Sequence, residues 1–392
     1  MSLKMNLMPL VKKVTLLLCV ALIVILAVAT FMEPIWGTEL VTRYIYHSIP
    51  FCMVWGGVAM LTLWILYKQR IWKRMPLFLL HCSFILILLG SLMTFLTGKQ
   101  GSIHLRVGMS AFQYIEDETN LTKTLPFTLK LDTFKVEHYP GTELPSDYVS
   151  IITCRSLRDS TLIHRKISMN NVSDYQGYRF YQSSYDEDKE GSWLRVNHDP
   201  WGMSITYAGY VLLFISMAVV LCQRWNLFYK VLVVITFLLI CLFQFKVRNN
   251  PMIPILVSPW FGLHLSFIFL SYSLLVLIFL NGILGLSCAK YAECLMNLSR
   301  KLLFSATFLL GSGIFIGAIW ANESWGRYWA WDPKEVWALI TFMVYSLPFH
   351  SESFPNFRHP GFFHIYMVVS ILTVLMTYLG VNAFLGGIHS YG

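Results

Sequence analysis

The chain has 392 residues, of which 56% are hydrophobic and only 13% charged, and its mean hydropathy is +0.57. Soluble domains carry about 25% charge, so this composition excludes a simple cytosolic enzyme, a disordered tail protein and a nucleic-acid-binding module. The net charge of +9 needs another cause, and its distribution along the chain supplies one.

Apolar runs long enough to cross about 30 Å of hydrocarbon fall at 13–32, 49–67, 76–97, 203–222, 230–245, 262–286, 302–321, 334–350 and 361–384. The expected fold is therefore a polytopic α-helical membrane protein of about nine transmembrane helices. The first run continues into Glu33 and Pro34 with no small-residue cleavage site, and so reads as a retained helix. With the N-terminus inside, thirteen basic residues fall on inner segments, among them Lys12, Lys13, Lys68, Arg70, Lys73, Arg74 and Arg358. The short outer loops hold five: Arg43, Lys246, Arg248, Arg327 and Lys334. The positive-inside rule sets this orientation, and the basicity is a topology signal with no nucleic-acid patch behind it.

One long polar stretch, 98–202, falls outside. Its alternating segments Phe127–Phe134, Tyr148–Thr153, Tyr178–Gln182 and Trp193–Val196 read as strands, with turns at Pro140-Gly141 and Tyr175-Gln-Gly177. A small extracytoplasmic β-rich domain tethered at both ends is expected. Eight cysteines form no CxxC pair, so a zinc knuckle, a thioredoxin-like dithiol and a c-type haem attachment site within the chain are all excluded.

Four of eleven histidines sit at informative depths. His81 and His350 belong near the inner ends of the third and eighth spans, while His264 opens the sixth span on the outer side and His389 follows the ninth. An imidazole in or beside a span is costly unless it pairs, ligates or lines a cavity. Two facing imidazoles suit a haem iron, which takes two axial nitrogens; the plainer alternative is that each one bonds a neighbouring helix. His47, His359 and His364 are read in that plainer way, and His104, His138, His164 and His198 as surface residues of the outer domain.

The loop from Trp320 to Trp337 places four tryptophans, Trp325, Trp329, Trp331 and Trp337, within thirteen residues. An interfacial aromatic belt explains single indoles, and Asp332-Pro333 followed by Glu335 reads as a helix start. An indole-lined surface with Arg327 or Lys334 beside it also fits a flat apolar ligand carrying carboxylates, such as haem.

These residues resemble a known family. The run Trp325–Trp337, with Ala338-Leu-Ile-Thr341 and Tyr345 after it, is similar to the WWD box of the CcsA family. So are the segment Trp260-Phe-Gly-Leu-His264 and the ending Phe384-Leu-Gly-Gly-Ile-His389-Ser-Tyr-Gly392. Pro126–Asp132, Tyr178–Asp186 and His198-Asp-Pro200 resemble motifs of ResB. The whole chain is thus similar to a fused CcsBA-type system II cytochrome c synthase of a bacterial inner membrane, with a cytoplasmic N-terminus and an extracytoplasmic C-terminus. Phe342 stands where that family commonly has tryptophan, and Pro348 precedes the second membrane histidine.

The resemblance divides the chain into a ResB-like three-helix region (1–97), the β-rich domain (98–202), a fourth ResB-like helix (203–225) and a CcsA-like membrane domain (226–392) with the WWD loop at 320–337. It implies transport of haem b and its attachment to the CxxCH thiols of apocytochrome c, the substrate supplying the nucleophiles, with a thiol-reducing extracytoplasmic partner. His81 and His350 would form an inner haem site. His264 and His389 would form an outer one against Trp325, Trp329, Trp331, Trp337 and Arg327. A haem exporter or chaperone without ligation activity, and a diheme b-type electron-transfer subunit, stay open as alternatives.

Overall fold

The structure is a computed structural model and describes residues 7–117, 119–159, 161–224 and 254–385. Eight α-helices of ten residues or more occur among them: α1 (Leu7–Trp36), α2 (Ile49–Lys68), α3 (Met75–Thr97), α4 (Gly202–Arg224), α5 (Pro259–Ser287), α6 (Ala292–Trp325), α7 (Pro333–Ser346) and α8 (Pro360–Leu375). The last runs on as a π-helix over Met376–Leu385. All except α7 are long and apolar enough to cross a membrane, which makes seven among the described residues. They match seven of the nine expected spans. The fifth expected span, 230–245, lies outside the described residues. The eighth, 334–350, is a fourteen-residue helix followed by a 3-10 turn over Leu347–His350. At 1.5 Å per residue the α-helical part is about 21 Å long, and Pro348 sits inside the tightened turn that follows, where an α-helical hydrogen bond would be lost.

Helix starts follow local chemistry. Ser48 caps α2 by accepting from Phe51 N, with Pro50 in the first turn. Asp332 caps α7 by accepting from Lys334 N at 2.9 Å, with Pro333 at the first position. The expected acid of that first turn, Glu335, reaches past the cap to accept from Ala330 N at 2.8 Å, so one carboxylate ties the preceding loop to the helix.

The polar stretch forms an eight-stranded antiparallel sheet: β1 (Lys99–Arg106), β2 (Ser110–Glu116), β3 (Thr122–His138), β4 (Pro145–Ser156), β5 (Leu162–Ile167), β6 (Ser173–Tyr175), β7 (Tyr178–Tyr185) and β8 (Gly191–His198). The order is β5-β4-β3-β2-β1-β8-β7-β6. All four expected strand segments fall inside β3, β4, β7 and β8. The alternation in β3 buries Phe127, Leu129 and Leu131 against Ile152, Phe180 and Leu194. The turn at Gln176-Gly177 has positive φ at both residues (48° and 82°), the signature of a type I′ hairpin.

The β1–β8 pairing runs from Lys99↔His198 to Arg106↔Gly191. It therefore returns the chain to the membrane beside its point of exit, and α3 and α4 pack along one another as a consequence. We call this end of the bundle the sheet side and the opposite end the far side. The short segment 326–332 between α6 and α7 is seated on the sheet. Asn197 Nδ2 donates to Gly326 O at 2.6 Å, and Tyr328 OH donates to Thr94 Oγ1 at 2.8 Å. Thr94 in turn donates to Asp199 at 2.6 Å. Ser324 Oγ donates to Asn170 Oδ1 at 2.6 Å, one turn before that segment. On the other flank Val336 and Ile340 of α7 pack on Leu22, Leu26 and Ala29 of α1, so the loop is gripped from both sides.

Gly326 makes this seat feasible. Its φ is +78°, and a Cβ there would lie 2.8 Å from the Tyr181 ring. A left-handed backbone costs an L-residue about 1–2 kcal/mol before the clash is counted. Gly326→Ala is therefore expected to lower the unfolding stability of the detergent-solubilised protein by at least that amount. Gly361→Ala, at a site where a Cβ meets open space, should leave it unchanged. Equal melting behaviour of the two variants in thermal denaturation would contradict the seating.

Candidate functional site

A cavity of about 1960 Å³ runs along the bundle between α1, α2, α3, α6 and α7. It is about twice the upper end of an ordinary small-molecule pocket. His81 and His350 line its far end; Arg327, Tyr328, Trp329, Trp331 and Asp332 line its sheet-side end, facing Arg43, Tyr46, His47, Phe51 and Trp55 of the N-terminal segment.

At the far end, His81 is the seventh residue of α3 and His350 closes the 3-10 turn after α7. Each Nδ1 points at a carbonyl four residues earlier in its own segment: His81 to Leu77 O at 2.8 Å, and His350 to Ser346 O at 3.2 Å. A carbonyl only accepts, so the proton resides on Nδ1 and the lone pair on Nε2, the tautomer of a metal-ligating imidazole with its support in place. The ring centres are 6.4 Å apart with planes at 89°. Two metal–nitrogen bonds of about 2.0–2.1 Å, plus roughly 1.1 Å from each nitrogen to its ring centre, add up to about 6.3 Å. The separation thus suits two imidazoles on one metal ion. Among the described residues no three His, Cys, Asp or Glu side chains converge on a common point. The pair by itself offers two nitrogens, the number of axial positions that a porphyrin leaves open on its iron.

At the sheet-side end, Trp331 has left-handed backbone (φ 59°), a strained conformation that its surroundings hold in place. The Tyr46 ring lies parallel to its indole at 4.6 Å, Phe51 meets it edge-on at 5.4 Å, and Trp329 stands across it at 5.9 Å and 87°. Two donors here lack an acceptor among the described residues. Trp329 Nε1 is buried without a hydrogen bond, and Arg327 makes no ion pair, whereas the adjacent Arg195 is held by both oxygens of Asp117. Burial first, and then the nearby Arg195, pull the Arg327 guanidinium below the ordinary arginine pKa, against the opposing pull of Glu335, Asp117 and Asp332. An incoming carboxylate would relieve both effects. Indoles, a buried N–H and a guanidinium in no direct ion pair fit a flat ligand with acidic substituents.

The four tryptophans of the loop do not converge. Trp329 and Trp331 face the cavity. Trp325 ends α6 and packs on Trp320 at 4.9 Å. Trp337 pins α7 to α1, its Nε1 donating to Thr30 Oγ1 at 3.0 Å with Phe31 edge-on at 6.1 Å. His264 is also absent from the cavity wall. It is the sixth residue of α5, its Nδ1 donates to Gly313 O at 2.8 Å, and its ring stacks on Trp320 at 6.4 Å and 24°. A Cβ on Gly317 would come within 2.5 Å of that ring, so the close approach of α5 and α6 here requires glycine. His389 lies outside the described residues. His364 fulfils the plain expectation: fully buried, it holds two helices together through Nε2 and Ala292 O at 2.8 Å. Nothing in the sequence marks Tyr46 or Phe51 as part of a site; their spacing is that of ordinary membrane-helix aromatics, and only the fold brings them against Trp331, while Trp320, the first residue of the expected loop, lies within α6 against His264.

Two family descriptions match successive parts of the chain. The family described as ResB-like matches residues 64–206, and the family described as Cytochrome C assembly protein matches residues 201–389. NrfI of Wolinella succinogenes is 38% identical over 151 residues, covering 36% of this chain and 17% of that protein. The cytochrome c biogenesis protein CcsA of Chlamydomonas reinhardtii is 36% identical over 158 residues (37% and 44%), and that of Guillardia theta 34% over 194 residues (41% and 63%). The chain thus spans less than two thirds of each of these relatives. With a ResB-like segment running directly into a cytochrome c assembly segment in one multi-pass membrane polypeptide, the chain belongs to the fused ResB/CcsA family of cytochrome c biogenesis proteins.

Proposed function

We propose that the protein carries haem b from the cytoplasmic to the outer face of a bacterial inner membrane and attaches it to the CxxCH thiols of apocytochrome c. The observation that carries this reading is the single cavity with an imidazole pair at one end and the Arg327–Trp329–Trp331 surface at the other. The positive-inside bias puts the far side in the cytoplasm and the sheet outside. Residues 1–97 and 203–225 then serve as the ResB-like membrane region, 98–202 as the extracytoplasmic domain, and 226–392 as the CcsA-like domain.

In this reading His81 and His350 receive the iron, with both Nδ1 protons tied to backbone so that Nε2 ligates. The apolar walls exclude water while haem moves outward. Arg327 and the Trp329 N–H bind its propionates, and His264 with His389 hold the iron beside Trp320 and Trp325 for the final step. There a substrate thiolate, the reactive form of cysteine, adds to a vinyl group. Its sulfur bonds to one vinyl carbon and the proton given up by the thiol ends on the other, so the addition is redox-neutral. The chain's own contribution is positioning, which converts a bimolecular encounter into a near-attack arrangement, and a thiol-reducing partner keeps the substrate cysteines reduced.

Two outcomes test this. His81→Ala and His350→Ala should each purify with little haem, regain it when imidazole is supplied, and fail to produce covalent cytochrome c on co-expression with an apocytochrome in a host lacking other maturation systems; wild-type haem content in both would contradict the inner site. Arg327→Ala should weaken haem retention by the about 1.5–3 kcal/mol of a charged hydrogen bond, roughly ten- to hundredfold. Arg327→Lys, which keeps the charge but loses the planar fork, should fall between; identical retention in all three proteins, measured by haem loss to an apo-globin scavenger, would sink the propionate assignment.

A further inference from the structure

Among the described residues other than His47, nothing supplies haem on the proposed route with an axial ligand partway along the cavity. His81 lies at the far end, and the sheet-side wall of the cavity includes Phe95 of the same helix. Fourteen residues separate the two positions, about 21 Å at 1.5 Å per residue. A porphyrin that leaves the imidazole pair for Trp329 and Trp331 therefore gives up both axial nitrogens, and His264 cannot replace them because it stands outside the cavity against Gly317 and Trp320. Among the described residues the cavity wall carries one further imidazole, His47.

We infer that His47 is a third iron-binding position, a berth in the outer half of the cavity where haem rests between the inner pair and the His264 side. This rests on the proposed transport route and adds to it a ligand from the N-terminal segment. His47 is presented by a rigid turn. The π-helical segment Thr42–Tyr46 closes with His47 N donating to Thr42 O at 2.8 Å, and Ser48 N then donates to Ile45 O at 3.1 Å and caps α2. The imidazole packs edge-on against Phe95 at 5.4 Å, and the preceding residue, Tyr46, is the one stacked on Trp331. An imidazole for iron, an indole–phenol stack for the macrocycle face, and Arg43 and Arg327 in the same cavity lining for carboxylates make up the donor set of a haem site held on fixed elements. The site draws on both halves of the fused chain, as the inner pair does.

Haemin titration of the full-length protein in detergent tests this. The variant His81→Ala/His350→Ala/His264→Ala, which removes the other described ligands, is expected still to bind haemin. Adding His47→Ala should weaken that binding by about tenfold or more, at least what losing a mere supporting partner of a metal site costs. Adding His47→Cys should shift the Soret band to that of a thiolate-ligated haem, and the single His47→Cys substitution in the otherwise unaltered protein should introduce the same band. Unchanged titrations with His47→Ala and no thiolate band in either His47→Cys protein would overturn the berth, even with the route intact. Wild-type haem content in His81→Ala/His350→Ala protein as purified would instead overturn the route, and the berth with it.

Discussion

His81 and His350 come from opposite halves of the chain, and the 6.4 Å between their rings exists only while those halves stay locked together. Neither histidine is held by the other. Each is fixed to its own backbone through Nδ1, so their relation is set by where α3 stands against the end of α7. That relation depends on the sheet side. The β1–β8 pairing places α3 beside α4, the loop 326–332 is bonded to Asn197 and Thr94, and α7 leaves that loop already capped by Asp332 and packed on α1. A rigid seat at one end of the bundle thus fixes a two-ligand geometry at the other.

The same seat explains why the tryptophans divide. The seven-residue loop, gripped between a sheet and a helix pair, carries only Trp329 and Trp331, while Trp325 and Trp337 belong to the helices that flank it. Gly326 in left-handed conformation sends the chain under Tyr181, and residues 327–333 then line the cavity, with Trp331, also left-handed, against Tyr46. Trp329 and Trp331 are left on the cavity wall, Trp325 stays with α6 next to Trp320 and His264, and Trp337 becomes a strut between α7 and α1. In the proposed function the loop therefore gives the cavity one aromatic surface, and the end of α6 gives the His264 region a separate one. Fusion of the two segments has a physical rationale here, because the cavity wall, the inner pair and the loop seat each require residues from both.

Much of this architecture is legible in the amino-acid sequence. Hydropathy locates seven helices because twenty apolar residues admit few alternatives, alternation locates β3, β4, β7 and β8, and Asp332-Pro333 announces the start of α7. Counting along their spans sets His81 and His350 toward the same end of the bundle, where their rings lie 6.4 Å apart. Lateral position is not legible in the same way. No periodicity says that α7 begins against α1, that Tyr46 will cover Trp331, or that His264 will turn toward Gly313 and away from the cavity. Those outcomes rest on tertiary contacts between residues far apart in sequence, and the aromatic side chains that make them look the same in sequence whether they face lipid, a partner helix or a ligand. His47 is the clearest case: alone at a membrane boundary it reads as one more histidine bonded to a neighbouring helix, and only the fold brings it to the cavity that Trp331 and Arg327 also line.

The most direct measurement is electron paramagnetic resonance of the haem-loaded, oxidised protein. Imidazole planes at 89° leave the iron orbitals that would back-bond to them nearly degenerate, and such a centre gives a low-spin signal of extreme anisotropy, unlike that of parallel imidazoles. The account predicts that signal as the principal component and its disappearance in both His81→Ala and His350→Ala. A high-spin spectrum, a parallel-plane low-spin spectrum, or an anisotropic signal that survives both substitutions would contradict it.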